Sequence, residues 1–231
     1  MDFTELVFKR IDGSWIKTRD YIDWANELLE GGCDAPSIWE LAACRWDAEI
    51  DPDQVERIFQ SCLSELGLEL PSDWYGALCA YSSSICQKML QGKIPPWDCM
   101  REMLTIADDH NEPYIHWIWL DLVDDLHQWR NKTDSILFNG TLHLEDSDEC
   151  IRTVAQQFIA LCSISLPEKF PWVWCCERCG AINEENTFTK TKTSTCTECG
   201  SVSALKNMRF FEHRDAWLKI AQSSNQGRAL R

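Results

Sequence analysis

Apolar residues recur at helical spacing through most of this chain. The clearest stretch follows Asp51, where Val55, Ile58, Phe59, Cys62, Leu63 and Leu66 return every three or four positions and so share one helix face. Asp51 is the expected N-cap, Pro52 takes the first helical position and Gln54 stands where a capping box would close. Gly67 supplies the left-handed stop. Upstream, a helix over 20–30 ends at Gly31-Gly32, and Ser37 caps a short one over 38–44. Downstream, Trp74, Leu78, Tyr81, Ile85 and Met89 form another stripe that ends before Gly92. Pro95-Pro96 opens a helix to about residue 107, and Pro113 opens one to about residue 129.

The pattern weakens over 131–146, where Thr141-Leu142-His143-Leu144 has the alternation of a short strand. Ser147 then caps a helix through about residue 164, and Pro167 ends it. Short connections between these segments predict antiparallel neighbours and hence helical hairpins. No fixed repeat period is present, which argues against a regular solenoid. From Pro171 the texture changes: Trp172-Val173-Trp174 reads as a strand, Met208-Arg209-Phe210-Phe211 as a closing strand, and 214–221 as a short helix. The expected architecture is a mainly α fold of antiparallel helical hairpins over 1–168, followed by a small β module over 169–231.

The small module carries the chemistry. Cys176-Glu177-Arg178-Cys179-Gly180 is followed, after a sixteen-residue spacer, by Cys196-Thr197-Glu198-Cys199-Gly200. Each C-x-x-C pair makes a tight turn that aims two thiolates at one point, and the glycine after it accepts the positive φ of that turn. Zn²⁺ favours four soft thiolates in a tetrahedron, and a site with all four positions filled leaves none for substrate. Cys176, Cys179, Cys196 and Cys199 are therefore expected to hold one structural Zn²⁺. Strand alternation points Cys175 away from Cys176, so Cys175 is read as a bystander. The segment resembles the zinc-ribbon family, and the resemblance implies two β-hairpin knuckles around the metal. A redox dithiol is the competing reading, but such motifs usually stand singly at a helix start.

Charge separates the two parts. Residues 1–174 hold 13 Lys and Arg against 31 Asp and Glu, a net of −18, whereas residues 175–231 hold 9 against 6, a net of +3. An acidic body repels nucleic acid and anionic lipid and steers basic partners. No apolar run approaches a membrane span, and the first residues lack the basic and apolar regions of a secretory signal. The nine remaining cysteines follow no spacing rule, and several sit among apolar neighbours, as small hydrophobes do in a reduced cytoplasmic protein.

Catalytic candidates are few. Asp108-Asp109-His110 and the set Asp121, Asp124, Asp125 and His127 could suggest a metal-dependent hydrolase, but no H-e-x-x-H-type motif, P-loop or nucleophile elbow is present. A solvated acidic face explains them better, and no enzyme activity is expected. In the helix after Pro113, Ile115, Ile118, Trp119, Leu122, Leu126 and Trp129 form the expected core face. Tyr114, Trp117, Asp121, Asp124, Asp125 and Gln128 form the opposite one. Aromatics beside carboxylates suit recognition of a basic protein, with burial under another helix as the alternative.

Residues 25–130 also resemble a group of small acidic helical bacterial proteins. Ile38-Trp39-Glu40-Leu41-Ala42, Glu65-Leu66-Gly67, Gly92-Lys93-Ile94-Pro95-Pro96 and Trp119-Leu120-Asp121 carry that likeness. It implies an immunity-type protein that binds and neutralises a basic toxin domain. A nucleic-acid-associated or regulatory ribbon protein, using Lys190, Lys192, Lys206 and Arg209 of the basic tail, is the alternative.

Overall fold

The computed structural model describes residues 2–13, 16–46, 50–111, 113–132, 137–139, 142–164, 166, 170–183, 195–212, 214–215 and 217–218. The described residues are mainly helical, with one small antiparallel sheet beside the four cysteines of the C-x-x-C pairs. The chain divides into two compact units, Met1–Ser84 and Ile85–Arg231. The sheet that carries the cysteines lies in the second unit, with the later helices.

The first unit holds α1 (Phe3–Asp12), α2 (Thr18–Glu30), α3 (Pro36–Ala43), α4 (Pro52–Leu66) and the start of α5 (Trp74–Leu90). The hydrophobic pattern left α1 unassigned. Its start is set locally, by Asp2 as N-cap accepting the Glu5 N–H at 2.9 Å, and it buries Leu6, Val7 and Phe8. The helix expected over 52–66 is capped by Asp51, which accepts the Asp53 N–H at 3.0 Å. It buries Val55, Ile58, Phe59, Cys62 and Leu63, with Leu66 partly covered, and Gly67 stops it at φ 63°. Pro36 rather than Ser37 opens α3, because the Ser37 hydroxyl is turned inward to donate to Glu65. Trp24 and Tyr21 meet Phe59 edge-on at 5.5 and 4.8 Å, at the centre of the core formed by α2, α3 and α4. At its edge Arg10 grips both oxygens of Glu56 at 2.5 and 2.8 Å and also donates to the Tyr21 hydroxyl. That fork holds the Glu56 carboxyl below its ordinary range.

The second unit contains the end of α5, α6 (Pro96–Asp109), α7 (Trp117–Asn131), α8 (Ser147–Leu161) and the sheet. Helices α6, α7 and α8 pack pairwise, burying Met103, Ile118, Trp119, Leu122, Ile151, Val154 and Phe158. A 3-10 turn over Tyr114–His116 precedes α7, and it buries His116 against Phe158 at 5.2 Å. Burial of its ring draws the His116 pKa down to about 3. The strand expected over 141–144 is not formed by its described residues, which run as bend and turn with Leu144 buried. Asp146 caps α8 through the Glu149 N–H, one residue before the expected Ser147.

The sheet runs in the order β2-β1-β3, with β1 (Trp172–Cys176) central and antiparallel to both β2 (Ile182–Asn183) and β3 (Leu205–Arg209). The closing strand therefore lies earlier than the expected 208–211, and Phe210–Glu212 forms a 3-10 turn. Residues 214–215 and 217–218 are helical, and the rest of the helix expected over 214–221 lies outside the described residues. Of the thirteen cysteines none forms a disulfide. Cys44, Cys62, Cys79, Cys86, Cys99, Cys150 and Cys175 are buried as small apolar side chains. No helix among the described residues is long and apolar enough to cross a membrane.

Candidate metal centre

Two turns of the same construction present the four thiols. In the first, the Cys176 N–H donates to the Ala181 carbonyl at 2.8 Å and the Gly180 N–H returns to the Cys176 carbonyl at 2.8 Å. In the second, Cys196 and Ser201, then Gly200 and Cys196, repeat both bonds at 3.0 Å. Gly180 and Gly200 sit at φ 74° and 66°, the left-handed values that the C-x-x-C-G spacing anticipates. Pairing of β1 with β3 and the bond from the Glu177 N–H to the Ala204 carbonyl (2.8 Å) bring the second turn over the first.

The four Sγ atoms of Cys176, Cys179, Cys196 and Cys199 lie within 4.8 Å of one another. Across the turns, Cys176 and Cys199 are 3.7 Å apart, and Cys179 and Cys196 are 3.6 Å apart. A tetrahedron with sulfur about 2.3 Å from zinc has edges of about 3.8 Å, so these spacings fit a shared ion. They are far too long for disulfides, whose sulfurs stand about 2.05 Å apart. The electrostatics agree, since four sulfurs this close cannot all be thiolates without a cation among them. Hydrogen bonds from Ser201 draw the Cys199 thiol down to about 6. The Cys199 N–H chiefly lowers Cys196. Although the Ala181 N–H favours the Cys179 thiolate, desolvation and the neighbouring sulfurs push that thiol up to about 12. Cys175 lies outside the cluster, buried, with its thiol on the Gly180 carbonyl at 3.6 Å.

The other candidate surface is rearranged. Tyr114, in the turn before α7, and Asp124 on α7 are exposed, with Trp117 and Asp121 partly covered. Asp125 does not belong to an exposed face. It is fully buried and accepts from the Phe138 N–H at 2.8 Å, the Asn139 N–H, and the Asn139 side-chain amide at 2.8 Å. Trp129, expected in the core, is 49% exposed. The burial of Asp125 follows from the returning chain, since Phe138 and Asn139 come back against α7 and their N–H groups need an acceptor. Helical periodicity carries no signal for that demand.

The segment after the sheet continues the network. Arg214 is buried, donates to the Asn139 side-chain oxygen, and lies over Phe210 and Phe211 at 5.9 and 4.8 Å. Burial pulls its guanidinium down to about 10, against the upward pull of Asp125. Arg209 stacks over Phe138 at 3.8 Å, and its charge partly offsets the burial that raises Asp121 to about 6. Part of the acidic α7 face is thus answered by arginines of the same chain.

The catalytic candidates do not come together. Asp108, Asp109, Asp124 and His127 are exposed, while Asp125 points inward. Among the described residues no second group of three His, Cys, Asp or Glu side chains converges as the cysteines do. Lys190 and Lys192 lie outside the described residues, and Lys206 is exposed on β3. Sequence reasoning missed Asn183 and Ser201, which hydrogen-bond the cysteine cluster. Their only sequence signal is a polar residue soon after each turn glycine. No family model matches this chain, nor does any curated protein or solved structure.

Proposed function

We propose that this chain acts by binding, as an acidic helical protein with one structural Zn²⁺, and that it captures a basic protein partner. The observation that carries the metal assignment is the convergence of four cysteine sulfurs at tetrahedral spacing. With four thiolates in place the ion has no open position for water or substrate, so it would supply folding energy rather than chemistry. The charge of the body supports the partner class, because an excess of carboxylates accelerates encounter with cationic surfaces. Tyr114, in the turn before α7, and Asp124 on α7 are exposed and would meet such a partner. In the first unit Glu5, Asp23, Glu27 and Glu30 line an open groove of about 610 Å³ with Asn26 and Arg45, and Trp46 beside Arg45 is 81% exposed. Neutralisation of a basic toxin domain, as an immunity-type protein, is the specific form of this reading.

The test is capture by the full-length chain from the native cell, at low and at raised salt. Basic proteins enriched at low salt, with association slowed as salt rises and dissociation hastened by Trp117→Ala, support the reading. Retention of nucleic acid alone, lost on Lys206→Glu, would replace it with the nucleic-acid alternative.

A further inference from the structure

Two polar side chains beside the cysteine cluster have their acceptor atoms already occupied by groups of the ribbon. Asn183 on β2 is 3% exposed. Its Oδ1 accepts from the Thr197 N–H at 2.8 Å and from the Thr197 hydroxyl at 2.9 Å. Those two donors fix which way the amide faces, since the opposite orientation would set N–H against N–H. The Nδ2 group is thereby directed inward, where it lies 3.7 Å from the Cys196 sulfur and 3.1 Å from the Ala181 carbonyl. Ser201 is built on the same plan. Its Oγ accepts from Arg178 Nη1 at 3.2 Å and stands 3.1 Å from the Cys199 sulfur. With a guanidinium N–H on its oxygen, the hydroxyl has its own hydrogen free for sulfur. A metal-bound thiolate has no proton to give, so the hydroxyl is the donor in that bond.

The two bonds also share a direction. Asn183 and Arg178 belong to the first turn and its strand, whereas Thr197, Ser201, Cys196 and Cys199 belong to the second. Each polar group therefore ties one turn to the other while offering a hydrogen to a thiolate of the second turn. A tetrathiolate around a divalent ion carries a net negative charge, and N–H and O–H donors to sulfur disperse it. Groups in this position orient ligands and tune affinity.

Resting on the metal reading above, we infer that Asn183 and the Ser201–Arg178 pair are positioning residues for the metal centre. They hold Cys196 and Cys199 as oriented thiolates and raise the affinity for zinc beyond what four cysteines alone provide. The contribution comes from hydrogen donation to sulfur, which separates it from a merely structural role. Asn183→Asp makes that separation. The aspartate keeps an acceptor for Thr197, loses the N–H that faces Cys196, and sets a negative charge beside the thiolate. A structural role would leave this variant near wild type.

The experiment uses the full-length chain under reducing, oxygen-free conditions, with zinc affinity read by competition against a chromophoric chelator. Cobalt is then loaded in place of zinc, and its sulfur charge-transfer band reports whether four thiolates remain bound. Asn183→Asp and Ser201→Ala should each weaken zinc binding about 10–100-fold. The cobalt spectrum should stay that of a tetrathiolate, and Ser201→Thr, which keeps the hydroxyl, should restore most of the loss. Should Asn183→Asp also lose the tetrathiolate band, Ser201→Ala and its Thr rescue decide the matter. Wild-type affinity in Asn183→Asp and Ser201→Ala overturns the inference while leaving the metal centre intact. A wild-type chain that takes up neither ion overturns both.

Discussion

Replacing Asp125 by alanine should destabilise the second unit strongly, although Asp125 lies in a run of carboxylates that reads as solvated. Its carboxylate accepts from two backbone N–H groups and one side-chain amide, and it is fully buried. A hydrogen bond to a charged group contributes about 1.5–3 kcal/mol, and each orphaned buried donor adds its own desolvation cost. These contributions are not additive. Removal of one partner from a buried charged network costs about 3–5 kcal/mol, and that is the expected loss for Asp125→Ala. Arg214, reached through Asn139, also loses a negative charge that favours its own charged form. Asp125→Asn keeps one acceptor oxygen and should lose about 2 kcal/mol, and the exposed neighbour Asp124→Ala should stay within about 0.5 kcal/mol of wild type. Because the chain has two compact units, a single unfolding curve can blend two transitions. Native-state hydrogen exchange is the better assay, read at the amides of α7 and at Phe138 and Asn139. An Asp125→Ala protein within about 1 kcal/mol of wild type at those amides would refute the buried-acceptor account.

Further outcomes follow from the same geometry. The Asp121 carboxyl is raised to about 6, chiefly by burial, so the folded state binds its proton more tightly than the unfolded one. Its contribution to stability is full below the ordinary carboxyl pKa and is lost as pH rises through about 6. Asp121→Asn should therefore remove a decline in stability between pH 4 and 6, seen in denaturant midpoints. His116 acts in the opposite sense, since burial lowers it to about 3. Its contribution is present above the ordinary imidazole value near 6.5 and is lost as pH falls toward 3, and His116→Gln should flatten that acid-side slope. Cys199→Ser should abolish tight zinc binding and exchange protection in β1 and β3, while α1 to α4 keep theirs, as circular dichroism and hydrogen exchange can check.

Much of the fold was legible because the helices are locally specified. Asp51, Pro52 and Gly67 mark the ends of α4, and the apolar face between them is the buried one. The metal centre was legible for the same reason, since the C-x-x-C-G repeat encodes its own turn. What escaped was set by partners distant in sequence. Ser37 is turned inward by Glu65, Asp125 by Phe138 and Asn139, and Asn139 by Arg214, separations that hydrophobic period does not register. Asp121, Asp124 and Asp125 look equivalent in sequence, yet one is buried, one partly covered and one exposed. The α1 helix escaped because it spans only ten residues, fewer than the window over which a helical period is secure.

The central claim is that four cysteines hold one structural ion, and metal analysis of the purified full-length chain tests it most directly. Protein prepared under reducing conditions without chelator should contain about one zinc per chain, with Cys176, Cys179, Cys196 and Cys199 shielded from alkylation until the metal is stripped. A chain with no zinc above background, whose four thiols alkylate as fast as in denaturant, would contradict it.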